Sequence, residues 1–220
     1  GISQIAIIHC IIIFMIIFAF SRYFLPYKGA SNGKAIAIPK GIVTLFGVLA
    51  VISFLGEGGM MDWSGVFLTE AKGVDLSLAG VGYAVFSAAM LIGRLIGDKV
   101  VQKLGEQRVV IFGGIVASVG YIISIVFDNF FMMQFGFILL GFGAANIVPV
   151  VFTLLGRQKE MPINSAVTAV TSMGYLGVMF GPALLGFIAH GIGIVAVFCI
   201  LAGLFILQAI VSSYVFKVLR

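Results

Sequence analysis

Long apolar runs separated by short polar ones set the pattern of this 220-residue chain. The runs IAIIHCIIIFMIIFAF (5–20) and IVAVFCILAGLFILQAIV (194–211) approach or reach the roughly 18–20 apolar residues that cross a bilayer. Seven such segments can be drawn, near 2–20, 41–67, 76–97, 108–127, 129–155, 163–189 and 191–216. The pattern predicts an all-α polytopic membrane protein with seven transmembrane helices. The first run is too long for a signal-peptide core, with no basic stretch before it and no small-residue cleavage site after it. The longest polar stretch, SRYFLPYKGASNGKAIAIPK (21–40), is interrupted by Pro, Gly, Ser and Asn. It reads as a linker between one helix at 1–20 and a six-helix bundle at 41–220.

Composition agrees, at 61% hydrophobic and 10% charged, where a soluble domain carries about 25% charged residues. The net charge of +5 would suit a nucleic acid, but its placement points to the bilayer instead. Arg22, Lys28, Lys34 and Lys40 follow the first segment; Arg94, Lys99, Lys103 and Arg108 surround the end of the third. Arg157 and Lys159 follow the fifth, and Lys217 and Arg220 the seventh. These alternate connections hold twelve of the thirteen cations, leaving only Lys72 on the other side, beside Glu70, Asp75 and Asp128. Such a bias places the basic loops and the C-terminus in the cytoplasm and the chain in the cell's inner membrane.

Familiar chemistry is sparse. Cys10 and Cys199 lie inside apolar runs and read as packing residues, not a disulfide framework. His9 and His190 are isolated, so no metal site is expected. GASNGKA (29–35) has three residues between its glycines where a phosphate loop has four. It also has Ala35 where a Ser or Thr would bind magnesium. No nucleophile–base pair, zinc spacing or dinucleotide fingerprint is present, so neither an enzyme nor a cofactor is expected. Many of the 29 glycines fall inside the apolar runs, where small residues let helix backbones approach. Gly174, Gly177 and Gly181 share one face of the sixth segment, while Thr168, Thr171, Ser172 and Tyr175 lie well round from it. That helix is expected to have a packing side and a wetter side, unless its hydroxyls bond back to their own carbonyls.

The charged stretch GRLIGDKVVQKLGEQR (93–108) resembles the cytoplasmic loop motif of the Major Facilitator Superfamily, in the form found between helices eight and nine. Gly93, Arg94, Gly97, Asp98, Lys99, Gly105 and Arg108 carry the likeness. EGGMMDWSGVFL (57–68), GFGAANIVPVVF (141–152) and GYLGVMFGPALLGFIA (174–189) are similar to helices seven, ten and eleven of bacterial members, nearest the YbjJ-type and fucose-permease-like branches. Gly105 follows Asp98 by seven residues, a looser spacing than the first-half copy of the motif. The resemblance implies the C-terminal six-helix half of that fold plus the preceding helix, with five helices of an N-terminal half missing as partner. It also implies secondary active transport of a small solute, and a gating role for the loop.

Some polar residues sit at membrane depth. Sixteen residues separate Lys40 from Glu57, too few to cross ~30 Å at ~1.5 Å each, so Glu57 is expected about 25 Å in. Desolvated there, it is placed to take a proton from the outer side, and Asp62 comes near the outer surface. Glu57 in the headgroup region, and Asp62 as a mere helix end, are the plainer alternatives. Asn146 lies eleven residues before Arg157, about 16 Å from the basic side. Pro149 lacks an N–H and so frees the carbonyl of Ala145. A cavity shared by Asn146, Thr171 and Tyr175 between the fifth and sixth segments is expected, unless the amide merely bonds a neighbouring helix.

The preferred reading is proton-coupled secondary transport. A non-transporting fragment or partner-binding half is the alternative, and a membrane-embedded enzyme is a remoter one. Asp98 is expected to act as a latch at the N-terminus of the sixth segment, near Pro162, with Arg108 or Lys99 sharing its carboxylate. The topology is testable with single cysteines in a background lacking Cys10 and Cys199. An impermeant thiol reagent added to intact cells should label Lys72→Cys but neither Ala30→Cys nor Lys103→Cys, and the reverse result overturns the orientation.

Overall fold

The computed structural model of the chain describes residues 11–18 and 37–219, which fall in two compact units, Gly1–Gly33 and Lys34–Arg220. In the first unit residues 11–18 form α1, a helix exposed along its length. The remainder of the first apolar segment, with His9 and Cys10, lies outside the described residues, as does the linker up to residue 36.

The second unit holds six helices long and apolar enough to cross a membrane: Ile42–Ala71, Leu76–Leu95, Glu106–Val126, Phe130–Leu155, Ile163–Ile192 and Ile194–Val218. Each lies within a few residues of the segment drawn from the sequence. α2 (Ile42–Val66) runs on through a π-helical turn, Phe67–Ala71. α3 (Val81–Leu95) follows a short 3-10 turn capped by Asp75, which accepts hydrogen bonds from the Ser77 hydroxyl and backbone N–H. Those two donors hold the exposed Asp75 carboxyl below its usual range. α4 (Gly97–Leu104) is a short charged helix, and Gly105 turns the chain into α5 (Glu106–Val126) with φ +82°. The fifth span is broken into α6 (Phe130–Ala144) and α7 (Ile147–Leu155); α8 (Ile163–Ile192) and α9 (Ile194–Val218) complete the bundle.

α5 packs between α6 and α9, α2 packs on α8 and α9, and α3 packs on α6. Glycine sets these distances. A Cβ on Gly120 would fall on the Gly136 carbonyl, a Cβ on Gly136 on the Gly120 carbonyl, and Gly113 and Gly143 repeat the relation. Backbone carbonyls cannot swing aside as side chains do, so α5 and α6 touch backbone to backbone. Beneath them Phe67 stacks on Phe198 with centroids 4.0 Å apart, and Tyr121 meets Phe198 edge-on.

Both ends of the bundle are tied. At the end away from the basic loops, the buried Lys72 donates to the Ile125 carbonyl and to Asp128, each at 2.6 Å, joining α2 to the α5–α6 turn. At the basic end Arg157 grips Glu106 with two bonds of 2.7 Å. The Gln158 side chain accepts from the backbone N–H groups of Glu160 and Met161, folding that loop so that Glu160 receives the Ile42 N–H at 3.0 Å. Gly41, at φ +50°, leaves the space that this carboxylate fills.

Glycine also places the third and sixth segments. A Cβ on Gly93 would strike Ala145 and one on Gly97 would strike the Asn146 amide, so the pair seats the third segment on the fifth. The sixth segment packs instead on α2, with Gly174 against Phe54, Gly177 against the Val51 backbone and Gly181 against Leu55. A carboxylate does sit at a helix start near that loop, but it is Glu160 at α2. These seams predict opposite outcomes for one substitution at two glycines. Gly136→Ala should destabilise the protein by about 1–3 kcal/mol through overpacking. Gly203→Ala, whose Cβ would meet nothing within 4 Å, should be neutral or stabilise by up to ~1 kcal/mol. Thermal unfolding of the two variants in detergent is the check.

Candidate functional site

A cavity of about 470 Å³ opens between α2, α3 and α8. Phe54, Gly58 and Met61 of α2, Tyr83, Phe86 and Met90 of α3, and Tyr175 and Val178 of α8 give it mostly apolar and aromatic walls. Its charges are Glu57 and Arg94.

Arg94 enters from the last turn of α3, the end next to the basic loop. Its Nη2 donates to both Glu57 carboxylate oxygens, at 3.3 and 3.4 Å, and its Nε donates to the Ala145 carbonyl at 3.4 Å. That carbonyl would normally accept from the residue four positions on, which is Pro149, so the proline leaves it for Arg94. Asn146 beside it donates from Nδ2 to the Gly93 carbonyl at 3.0 Å. The break in the fifth span and the end of α3 thus meet at two points, the Asn146 bond being the shorter. Pro182 similarly leaves the carbonyl of Val178 without its helical donor.

The Glu57–Arg94 pair is loose. Charge-assisted N–H···O bonds run to about 2.7–2.9 Å, as the Glu106–Arg157 pair does at 2.7 Å. The cavity pair stands at 3.3 Å with the side chains 22% and 47% exposed, and Arg94 Nη1 has no partner among the described residues. Ser87, also lining the cavity, has a buried hydroxyl with no hydrogen bond. Beneath the pair, the buried Tyr121 hydroxyl donates to the Gly56 carbonyl at 3.0 Å.

The residues singled out from the sequence are divided among separate places. Glu57, Arg94 and Tyr175 share the cavity just described. Asn146 belongs to a second cavity of about 260 Å³ with Gly97, Asp98, Gln102, Glu106 and Thr153. Thr171 lines neither, so the expected common cavity of Asn146, Thr171 and Tyr175 is not formed; α8 packs mainly on α2 and meets the fifth span only lightly, through α7. Asp62 is exposed and not among the cavity's lining residues. Thr168 bonds back to the Asn164 carbonyl of its own helix.

Asp98 faces Pro149, Val150 and Thr153 of α7, with neither Pro162 nor Ile163 among its cavity neighbours, and among the described residues it makes no hydrogen bond or ion pair. Lys99 and Arg108 therefore do not share its carboxylate. Arg108 lines a third cavity with Leu104 and Phe112, and Gly105 forms the α4–α5 turn. The cavity role of Arg94 was missed because its motif reads as a loop. One signal was available: Tyr83, Ser87, Met90 and Arg94 recur at spacings of four, three and four, one helical face carrying three polar groups.

Six apolar spans around a walled, charged cavity define a polytopic membrane protein with a polar site held inside it. The chain belongs to the Major Facilitator Superfamily, whose family model matches residues 47–220. It is 42% identical over 193 residues to an uncharacterized MFS-type transporter of Yersinia pestis, covering 86% of this chain and 50% of that protein. It is 30% identical over 150 residues to membrane protein MosC of Rhizobium meliloti, covering 68% of this chain and 37% of the relative. The chain thus spans half or less of the length of these relatives. A crystal structure of tetrameric PepTSo2 shares the fold with a TM-score of 0.62 at 19% identity, covering 80% of this chain and 40% of that one.

The seam between α3 and the fifth-span break can be tested by a double-mutant cycle. Gly97→Ala would push a methyl group onto the Asn146 amide, and Asn146→Ala removes that amide. Each single variant should lower stability, and the double should be better than their sum by about 0.5–3 kcal/mol. Additive effects in thermal unfolding would show that the two residues are not in contact.

Proposed function

We propose that this chain is the C-terminal half of a proton-coupled secondary transporter, with the cavity between α2, α3 and α8 forming its wall of the solute path. The observation that carries the reading is an ion pair, Glu57–Arg94, held loosely inside a membrane bundle and open to an aromatic-walled cavity. Ionisable groups at that depth are costly and mark solute or proton pathways. A discontinuous helix beside them supplies free backbone groups, as at transporter sites. In this reading residues 41–220 are one half, 1–20 the preceding helix and 21–40 a cytoplasmic linker. A first half of the same protein then completes the cavity. α8 suits that arrangement, with only 11% of its apolar window covered against 56% for Ile42–Ala71. Relatives named as transporters support the class of activity. The basic loops face the cytoplasm, where Gly97 and Asp98 pack against α7 as part of the gate.

Glu57 carries the proton in this scheme. In proteoliposomes holding the complete protein and a pH-sensitive dye, Glu57→Gln should abolish solute-dependent proton entry while leaving solute exchange without a gradient. Glu70→Gln, exposed at the far end of α2, serves as the charge control and should behave as wild type. Undiminished proton entry in Glu57→Gln removes Glu57 from the coupling.

A further inference from the structure

We propose that the solute taken by this cavity is a monocarboxylate with an apolar or ring-bearing body, bound by Arg94 in place of the Glu57 carboxylate while Glu57 takes up a proton. The proposal rests on the transport reading above and names its substrate class.

The argument starts from an asymmetry within the ion pair. A carboxylate becomes neutral by taking a proton, whereas a guanidinium in a protein cannot lose one. An added cation would claim Glu57 and leave Arg94 charged and unpartnered beside it in an apolar cavity. An added anion claims Arg94, and the displaced Glu57 escapes the same penalty by protonation. Of the two kinds of ion, the anion is the one accommodated without stranding a charge.

The geometry of Arg94 favours the same exchange. It is the more exposed member of the pair, its bonds to Glu57 are 3.3 and 3.4 Å, and Nη1 is uncommitted. Nη1 and Nη2 together present the fork that a carboxylate meets with two parallel bonds. Nε, on the Ala145 carbonyl, would hold the plane of the fork during the exchange. Two turns along α3, the unpartnered Ser87 hydroxyl lies about 10 Å from Arg94 by helical rise. The same cavity is walled by Phe54, Tyr83, Phe86, Met90 and Tyr175, which suit a ring or an alkyl body. A phosphate dianion would bring a second charge that no group in the cavity matches.

The balance is simple. One anion and one proton enter, one O–H bond forms on Glu57, and Arg94 exchanges one carboxylate for another. The net charge of the site is zero before and after, so the loaded carrier moves a monocarboxylate and a proton together without moving charge. The titratable or charged groups facing Glu57 are Arg94 and Tyr83 from α3, Tyr175 from α8 and Tyr121 from α5. The proton taken up by Glu57 on binding sets the pH dependence. Acid binding should therefore strengthen as pH falls.

The complete protein, purified in detergent, is to be scanned by thermal unfolding against benzoate, cyclohexanecarboxylate, cinnamate, 4-hydroxycinnamate and indole-3-acetate. Each acid is paired with its amide, and phenethylamine represents the cations. At least one acid should stabilise the protein, more strongly at pH 6 than at pH 8, while its amide does not. Arg94→Gln should weaken that acid by about tenfold or more, the loss of a bidentate charged contact. Glu57→Gln should still bind it, with the pH dependence gone. If Arg94→Gln fails to fold, Arg94→Lys keeps the charge without the fork, and should prefer acid over amide at reduced affinity. Stabilisation by no acid, by amides as well as acids, or by phenethylamine alone overturns the proposal, as does acid binding that survives intact in Arg94→Gln. Proton entry driven by a neutral or cationic solute would sink the carboxylate and leave proton-coupled transport standing. Arg94-dependent acid binding without proton entry would do the opposite.

Discussion

A backbone carbonyl without a donor inside hydrocarbon is the constraint on which the centre of this protein depends. Pro149 cannot bond the Ala145 carbonyl, and lipid offers no water to replace it. The group that comes is Arg94, from the next span but one earlier in the chain, at 3.4 Å. Once its Nε is held there, the rest of the guanidinium can reach Glu57. Asn146 completes the junction by bonding the Gly93 carbonyl, and Gly97 leaves room for its amide. The charged pair in the cavity is therefore attached to a proline on a different helix from either of its members.

Glycine and charge divide the structural work between them. The glycine seams fix α5 against α6 and α8 against α2 without polar groups, because a bilayer gives helices no hydrophobic reason to associate. The tight ion pairs lie at the ends: Lys72–Asp128 at 2.6 Å on one side, Glu106–Arg157 at 2.7 Å on the other. The pair in the middle is longer than both. Short, well-directed pairs hold the ends together, whereas the long one lines an open cavity.

Six of the seven expected spans were legible in the sequence because apolar length is a direct physical requirement of the bilayer, and their observed boundaries stay close to those drawn from it. The freed carbonyl at Ala145 was also legible, being a consequence of proline chemistry, and Glu57 drew notice as a carboxylate within an apolar run. Helix neighbours were not. The stripe of Gly174, Gly177 and Gly181 announces a close contact but carries no information about which helix supplies the other side. The same holds for Gly93 and Gly97. Arg94 was hidden differently: its neighbours Gly97, Asp98 and Lys99 belong to a loop, and a long side chain lets a residue at a helix end act one or two turns away. Grouping Asn146 with Tyr175 failed for the same reason, since equal depth in a membrane does not mean adjacency around a bundle.

The break at Ala145–Asn146 also has a mechanical side. Two helical pieces joined by two residues behave as a crank, and the Arg94 guanidinium is coupled to the crank pin by its bond to Ala145. Rotation of α7 against α6 would then turn the guanidinium as well as the helix.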